Sequence, residues 1–158
     1  MHGMEVPMIR NLGWVSGIVV IGALWTSVAS ATLGQPESSI ATEPQLGRAS
    51  IKQSQLGSYR VHEVQLASGT VLREYSGLDG KVFAVTWHGA FIPNLRQALG
   101  SYFDEVSAQA AAGKGDRKHL VVRRPDLVVE SAGHMRAYHG LAYLPQAVPG
   151  GVAPGDLQ

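Results

Sequence analysis

Residues 70–87, TVLREYSGLDGKVFAVTW, decide how this chain folds, because they place two apolar runs on either side of a turn sequence. TVLREY and KVFAVTW are rich in β-branched and aromatic residues, which favour strands. Asp79 and Gly80 between them favour a tight hairpin. Side chains alternate between the two faces of a strand, so the second run should turn its bulky face to the core. That predicted core face consists of Phe83, Val85 and Trp87.

Further strands are predicted on both sides of this hairpin. YRVHEVQL at 59–66 would be the first strand of an antiparallel meander, and residues 120–144 contain two or three more strands, broken near Pro125 and Gly133. Between the two groups lies one helical stretch. The order of strands, helix and strands predicts an α+β domain with an antiparallel sheet of about five strands and one main amphipathic helix on one face.

The predicted helix lies within AFIPNLRQALGSYFDEVSAQAAAG at 90–113. Pro93 suits its first turn and Gly113 suits its end. Apolar residues recur at spacings of about four, three and four, which is typical of one buried stripe of a helix. The residues of that stripe are Leu95, Leu99, Tyr102 and Val106.

Composition limits the class of protein. A chain of 158 residues, 45% hydrophobic and 16% charged, can build a core as one domain. Its formal net charge of +1 does not indicate a dedicated nucleic-acid binder. It contains no cysteine, which excludes disulfides, thiolate metal sites and a lipid-modified cysteine.

The amino terminus predicts an export signal. Residues 12–25 are mostly apolar and too few for a membrane span of roughly 20 residues. Ala29 and Ala31 suit signal peptidase, so residues 1–31 would be a cleaved signal peptide, whether translation starts at Met1, Met4 or Met8. An uncleaved membrane anchor is the alternative. The predicted mature chain has a mostly irregular segment at 32–58 with a possible short helix near 38–46, a domain at 59–144 and a flexible Pro/Gly-rich tail at 145–158.

No catalytic or cofactor motif is present, since the mature chain has neither a GxSxG elbow nor an HExxH pair. His134 and His139 are close in sequence, but five positions place them on opposite faces of a strand. We therefore predict no metal ligand, no cofactor and no catalytic residue.

The stretch SAGHMRAYHG at 131–140 nevertheless concentrates polar side chains. Read as one strand, it places His134, Arg136 and Tyr138 on one face and assigns His139 to the packed face. A cation, an imidazole and an aromatic ring side by side suit a polar ligand, although a solvated sheet face is the simpler interpretation. The full candidate ligand or partner surface is Trp87, His88, Tyr102, His134, Arg136 and Tyr138.

Four stretches resemble a known family: ATLG at 31–34, SGTVLREY at 68–75, GKVFAVTWHGAFIPNLRQALGSYF at 80–103 and SAGHMRAY at 131–138. They are similar to an uncharacterised family of exported proteobacterial proteins of the Burkholderia type, the DUF2844 family. The resemblance implies export and implies no established activity, catalytic residue or cofactor.

Together these observations predict a periplasmic or secreted accessory protein, a non-enzymatic binding module for an envelope protein or small ligand. The alternative is a small periplasmic hydrolase whose site is assembled only by the fold. No nucleic-acid partner is expected, and contact with a membrane is expected only through an uncleaved signal.

Overall fold

A computed structural model describes residues 33–37, 50–112 and 119–157 of the chain, with the backbone alone at residues 50 and 51. Seven strands form one sheet in the order β1-β2-β3-β4-β7-β6-β5, and each neighbouring pair is antiparallel. The strands are β1 (Ser50–Leu56), β2 (Tyr59–Gln65), β3 (Val71–Gly77), β4 (Val82–Gly89), β5 (His119–Arg123), β6 (Val128–His134) and β7 (Ala137–Tyr143).

The prediction of about five strands is wrong, because the sheet has seven, although the α+β class stands. Strand β1 lies inside the segment predicted to be irregular. Its sequence, SIKQSQL, shows no apolar alternation, because it is an edge strand whose side chains from Lys52 to Leu56 are exposed. The sequence predicted two or three strands after the helix. The structure has three, β5 to β7, because the chain turns at both Pro125 and Met135.

One face of the sheet, here called the covered face, is closed by the helical segment. That segment consists of α1 (Leu95–Leu99), a 3₁₀ turn (Gly100–Tyr102) and α2 (Phe103–Ala112). Asn94 caps α1, its side-chain oxygen accepting a hydrogen bond from the Gln97 amide at 3.3 Å. Gly100 interrupts the predicted continuous helix with φ at +54°. All four predicted stripe residues pack into the covered-face core: Leu95, Leu99, Tyr102 and Val106.

Residues 33–37 also belong to the covered face. The Gly34 amide donates to the Val82 carbonyl at 2.8 Å, and the Val82 amide donates to the Gln35 carbonyl at 3.0 Å. These bonds fix the segment along the start of β4, and Leu33 is buried in the same core as Val82, Val85 and Trp87.

A bulge in the β3–β4 ladder changes which side chains share a face. The register shifts by one residue between Tyr75 and Ser76, so Val82 joins Val85 on the covered face and Phe83 moves to the opposite one. The prediction that Phe83, Val85 and Trp87 share one face is therefore wrong for Phe83. Strict alternation fails where an extra residue is inserted in a strand.

The opposite face, here called the open face, is closed only in part. Residues 145–158 were predicted to form a flexible tail; the described part contains two 3₁₀ turns, Pro145–Ala147 and Pro154–Asp156. Leu157 is buried in a second core with Val61, Tyr75, Phe83 and Ala84. The carboxyl-terminal segment thus covers one end of this face.

Three predictions lie outside the described residues: the signal peptide at 1–31, the short helix near 38–46 and the helix stop at Gly113. Across the described ranges, no helix has the length and apolar character needed to cross a membrane.

Candidate functional site

A groove of about 680 Å³ occupies the part of the open face that the carboxyl-terminal segment leaves uncovered. Pro154, Gly155 and Leu157 form one wall of this groove. Its floor is the sheet from β3 to β5, because cross-strand neighbours in an antiparallel ladder point to the same face. The side chains on that floor are Arg73, Thr86, His88, His119, Val121, Glu130, Ala132, His139, Leu141 and Tyr143.

Histidines form a row across the groove floor. His88 of β4 lies directly opposite His139 of β7, and His139 lies opposite Ala132 of β6. His119 of β5 lies opposite Ala132 in turn. The fold therefore brings together imidazoles from three strands that are distant in sequence, with one alanine position inside the row.

The formal charges around the groove are largely paired. Arg73 donates to a Glu63 carboxylate oxygen at 2.8 Å, and Arg123 donates to Glu130 at 2.7 Å. Both pairs are partly exposed, so each contributes little to stability. Their effect at the site is to leave its formal charge nearly neutral, and its polar groups include the imidazoles and the hydroxyls of Thr86 and Tyr143.

Tyr75 lies under the carboxyl-terminal segment at the closed end of the open face. Burial raises the pKa of the Tyr75 hydroxyl, and a hydrogen bond with Thr86 lowers that pKa by a smaller amount. The phenol therefore stays protonated and links the second core to the groove floor at Thr86.

The six residues predicted as one surface are divided by the fold. Trp87 and Tyr102 belong to the covered face: Trp87 is buried in the core, and Tyr102 packs on that core beside Gly34. The indole Nε1 of Trp87 makes no hydrogen bond with any described residue. His88, the next residue of β4, points the other way and lines the groove.

The other three predicted residues lie at the β6–β7 hairpin. His134 is the last residue of β6, Arg136 is in the turn, and Tyr138 belongs to β7 opposite Gly133. The sequence predicted that these three residues lie along one strand, but the structure divides them between two strands and the turn that joins them. Met135 and Arg136 form a two-residue turn with φ angles of +38° and +71°, values that L-residues seldom adopt.

The sequence interpretation missed His139 as a site residue, because it assigned this side chain to the packed face. His139 does share a face with Leu141 and Tyr143, as predicted, but this is the open face, and His139 is exposed there. The available signal was long-range: pairing β4 with β7 in register places His88 and His139 side by side.

A second polar cluster, which the sequence did not indicate, lies on the covered face around Glu37. The Glu37 carboxylate accepts from Arg60 at 2.8 Å and from Ser76 at 3.1 Å, and it is bonded to His62 Nε2 at 2.8 Å. Glu37 is mostly buried, so its charge needs these partners. This cluster ties the amino-terminal segment to β2 and β3.

The fold and groove define a small α+β domain built on a single seven-stranded antiparallel sheet. Residues 29–157 match the family model described as a protein of unknown function, DUF2844, so the chain belongs to the DUF2844 family. The assignment to this family, predicted from the sequence, is thereby confirmed. Neither the curated proteins nor the solved structures gave a match.

Proposed function

We propose that this chain is an exported cell-envelope protein that acts as a non-enzymatic binding module, with the groove on the open face as its binding site. The observation that carries the proposal is the groove itself. Its volume of about 680 Å³ lies in the range of small-molecule sites, and its lining mixes apolar side chains with a few polar ones.

The lining favours a small polar ligand. The exposed imidazoles of His88 and His139 offer donors and acceptors, while Ala132 and Leu141 offer apolar surface. Because the nearby carboxylates are held by arginines, no strong field of either sign selects the ligand. Hydroxyl, carboxylate or phosphate groups of modest charge fit this lining.

Export is supported by the sequence and by the extent of the family match. Residues 12–25 carry no charge, and Ala29 and Ala31 follow at the spacing that signal peptidase accepts. The family match begins at residue 29, so the uncharged stretch lies outside the region shared with the family. The sequence pattern fits a mature chain that begins at Thr32, three residues after the start of the family match.

The alternative, an envelope hydrolase, would need a histidine bonded to a carboxylate and a hydroxyl at an accessible position. Within the described ranges, neither His88 nor His134 makes such bonds. The Glu37 cluster contains the right residue types, but Ser76 is fully buried and donates to Glu37 rather than to His62. Binding is therefore the function that the geometry supports best.

The test begins with the full chain expressed in a Gram-negative host and recovered from the periplasm, where mass spectrometry should find Thr32 as its first residue. Saturation-transfer NMR then screens neutral sugars, short carboxylic acids and phosphate esters. We expect signals that Ala132→Trp abolishes by filling the groove between His139 and His119. The matched variant Ala137→Trp, on the same face but outside the groove lining, should keep them.

Two results would contradict the proposal. A membrane-bound product with an intact Met1, Met4 or Met8 terminus would contradict export. No signal across the panel, or equal signals from Ala132→Trp and the natural chain, would contradict binding in the groove.

A further inference from the structure

His88 and His139 form a cross-strand pair on the groove floor. They are direct register partners in the β4–β7 ladder, and both side chains point to the open face. Residues directly opposite in an antiparallel pair have Cβ atoms about 4.5–5.5 Å apart. Two imidazoles that start this close can turn both ring nitrogens toward one point at the bonding distance of a metal, about 2.0–2.1 Å from each.

We propose that His88 and His139 together bind one divalent transition-metal ion, with Cu²⁺, Ni²⁺ and Zn²⁺ as the class. Imidazole nitrogen suits these ions, whereas Mg²⁺ and Ca²⁺ prefer oxygen ligands. The inference rests on the proposed function, because the pair lies in the same groove, and it names one chemical component of what that groove takes.

Both imidazoles are available for a metal. The side chains of His88 and His139 are exposed, and neither imidazole makes a hydrogen bond or ion pair with another residue of the described ranges. Glu130 contributes a carboxylate to the groove lining, and that carboxylate is held by Arg123 at 2.7 Å. Binding an ion therefore breaks no existing bond of either histidine.

The pair supplies two protein ligands and leaves the other coordination positions to water or to a groove ligand. Within the described ranges, no group of three or more His, Cys, Asp and Glu residues is placed to hold a metal. His119 belongs to the same row, but it is two strand spacings from His139, about 9.6 Å by sheet geometry. An ion bound by two imidazoles with open positions is suited to bridge the protein and a polar ligand.

The chain also offers a matched control. His134 is exposed like His88 and His139, and it is on the neighbouring strand β6, but its register partner is Ala137. Replacing His134 therefore removes one exposed imidazole without touching the pair. The natural chain, His88→Ala, His139→Ala, the double variant and His134→Ala make a complete set.

The experiment titrates Cu²⁺ into the full chain, purified without a histidine tag, by isothermal calorimetry at neutral pH. Every sample carries His2→Ala, so that an uncleaved amino terminus adds no imidazole, and the chain with this change alone serves as the natural chain in the comparison. We expect one ion per chain in the natural sequence. His88→Ala and His139→Ala should each weaken binding by about tenfold or more, because losing one donor removes the chelate advantage. His134→Ala should bind like the natural chain.

Electron paramagnetic resonance on the Cu²⁺ complex should show two nitrogen ligands in the natural chain and one in either single variant. Affinity in the natural chain no higher than in the double variant would overturn the inference, as would binding unchanged in both single variants. Thermal unfolding of each sample checks that the exposed substitutions leave the fold intact.

The two proposals fail separately. If Cu²⁺ does not bind while Ala132→Trp still removes the NMR signals, the metal site is wrong and the groove remains a binding site. If Cu²⁺ binds as expected while the panel gives no signal that depends on Ala132, the metal site stands and the proposed small-molecule function fails.

Discussion

Both faces of the sheet carry histidines, and the two faces differ in the burial and hydrogen bonding of those side chains. On the covered face His62 is buried and bonded to Glu37 at 2.8 Å, in a cluster that also satisfies Arg60 and Ser76. On the open face the imidazoles of His88 and His139 are exposed, with no hydrogen-bond partner in the described ranges. A buried polar group needs a protein partner, whereas an exposed polar group is hydrated and can exchange its water for a ligand.

The covers of the two faces differ in the same sense. The helical segment and residues 33–37 close the covered face, and their apolar side chains form one continuous core with the sheet. The carboxyl-terminal segment reaches the open face mainly through Leu157, with Val148 and Val152 packed against the second core. The covered face is therefore expected to stabilise the fold, and the groove on the open face is expected to bind a ligand.

The largest expected effect comes from placing a charge on the covered face. Leu99 is 0% exposed in the core under α1, so Leu99→Asp would bury a carboxylate without a partner and should destabilise the domain by more than about 4 kcal/mol. Val121 on the open face is 56% exposed, and Val121→Asp should destabilise the domain by less than about 1 kcal/mol, mainly because it places a carboxylate opposite Glu130. Urea denaturation followed by circular dichroism measures both. A Leu99→Asp variant as stable as the natural chain would show that packing at Leu99 on the covered face is not needed for folding.

A smaller effect tests the contact between Trp87 and the backbone of β7. Trp87 and Gly140 are register partners, and a Cβ added at Gly140 would overlap the Trp87 ring. Gly140→Ala should therefore cost about 2–3 kcal/mol, as overpacking of a rigid core does. The matched variant is Gly150→Ala, where nothing lies within 4 Å of the added carbon, and it should be nearly neutral. Equal midpoints for the two variants would show that Trp87 moves aside freely.

The same contrast between faces explains what the sequence could predict. The meander β2 to β4 and the helix stripe were readable, because each buries an apolar pattern with the period of its own element. Strand β1 was not, since its exposed polar side chains carry no period-two signal. The sequence did not predict the β6–β7 turn at Met135 and Arg136, because both residues have positive φ angles and turns of this kind usually contain glycine or asparagine.

The site was harder to predict than the fold, for a physical reason. The candidate surface was chosen by residue type, as aromatic and cationic groups from three separate stretches of sequence. Trp87 and His88 both border the groove, but the Trp87 side chain is buried in the covered-face core, so His88 is the member of that set whose side chain lies on the groove floor. Its neighbour His139 comes from β7, and the pairing of β4 with β7 depends on the whole intervening chain. Local spacing could not reveal the cross-strand pair of His88 and His139, because the two residues come together only when β4 pairs with β7.

The smallest effect compares a carboxylate on each face. Glu37→Gln keeps the shape but removes the charge that faces Arg60 and His62, and Glu37 is only 15% exposed, so it should cost about 1–2 kcal/mol. Glu130→Gln removes the charge beside Arg123, whose side chain is 70% exposed, and should cost well under 1 kcal/mol. Chemical denaturation with both variants in the same buffer gives the difference directly. Equal losses would mean that Glu37 is no better shielded than an open-face carboxylate, and the distinction between a structural and a binding face would then rest on apolar packing alone.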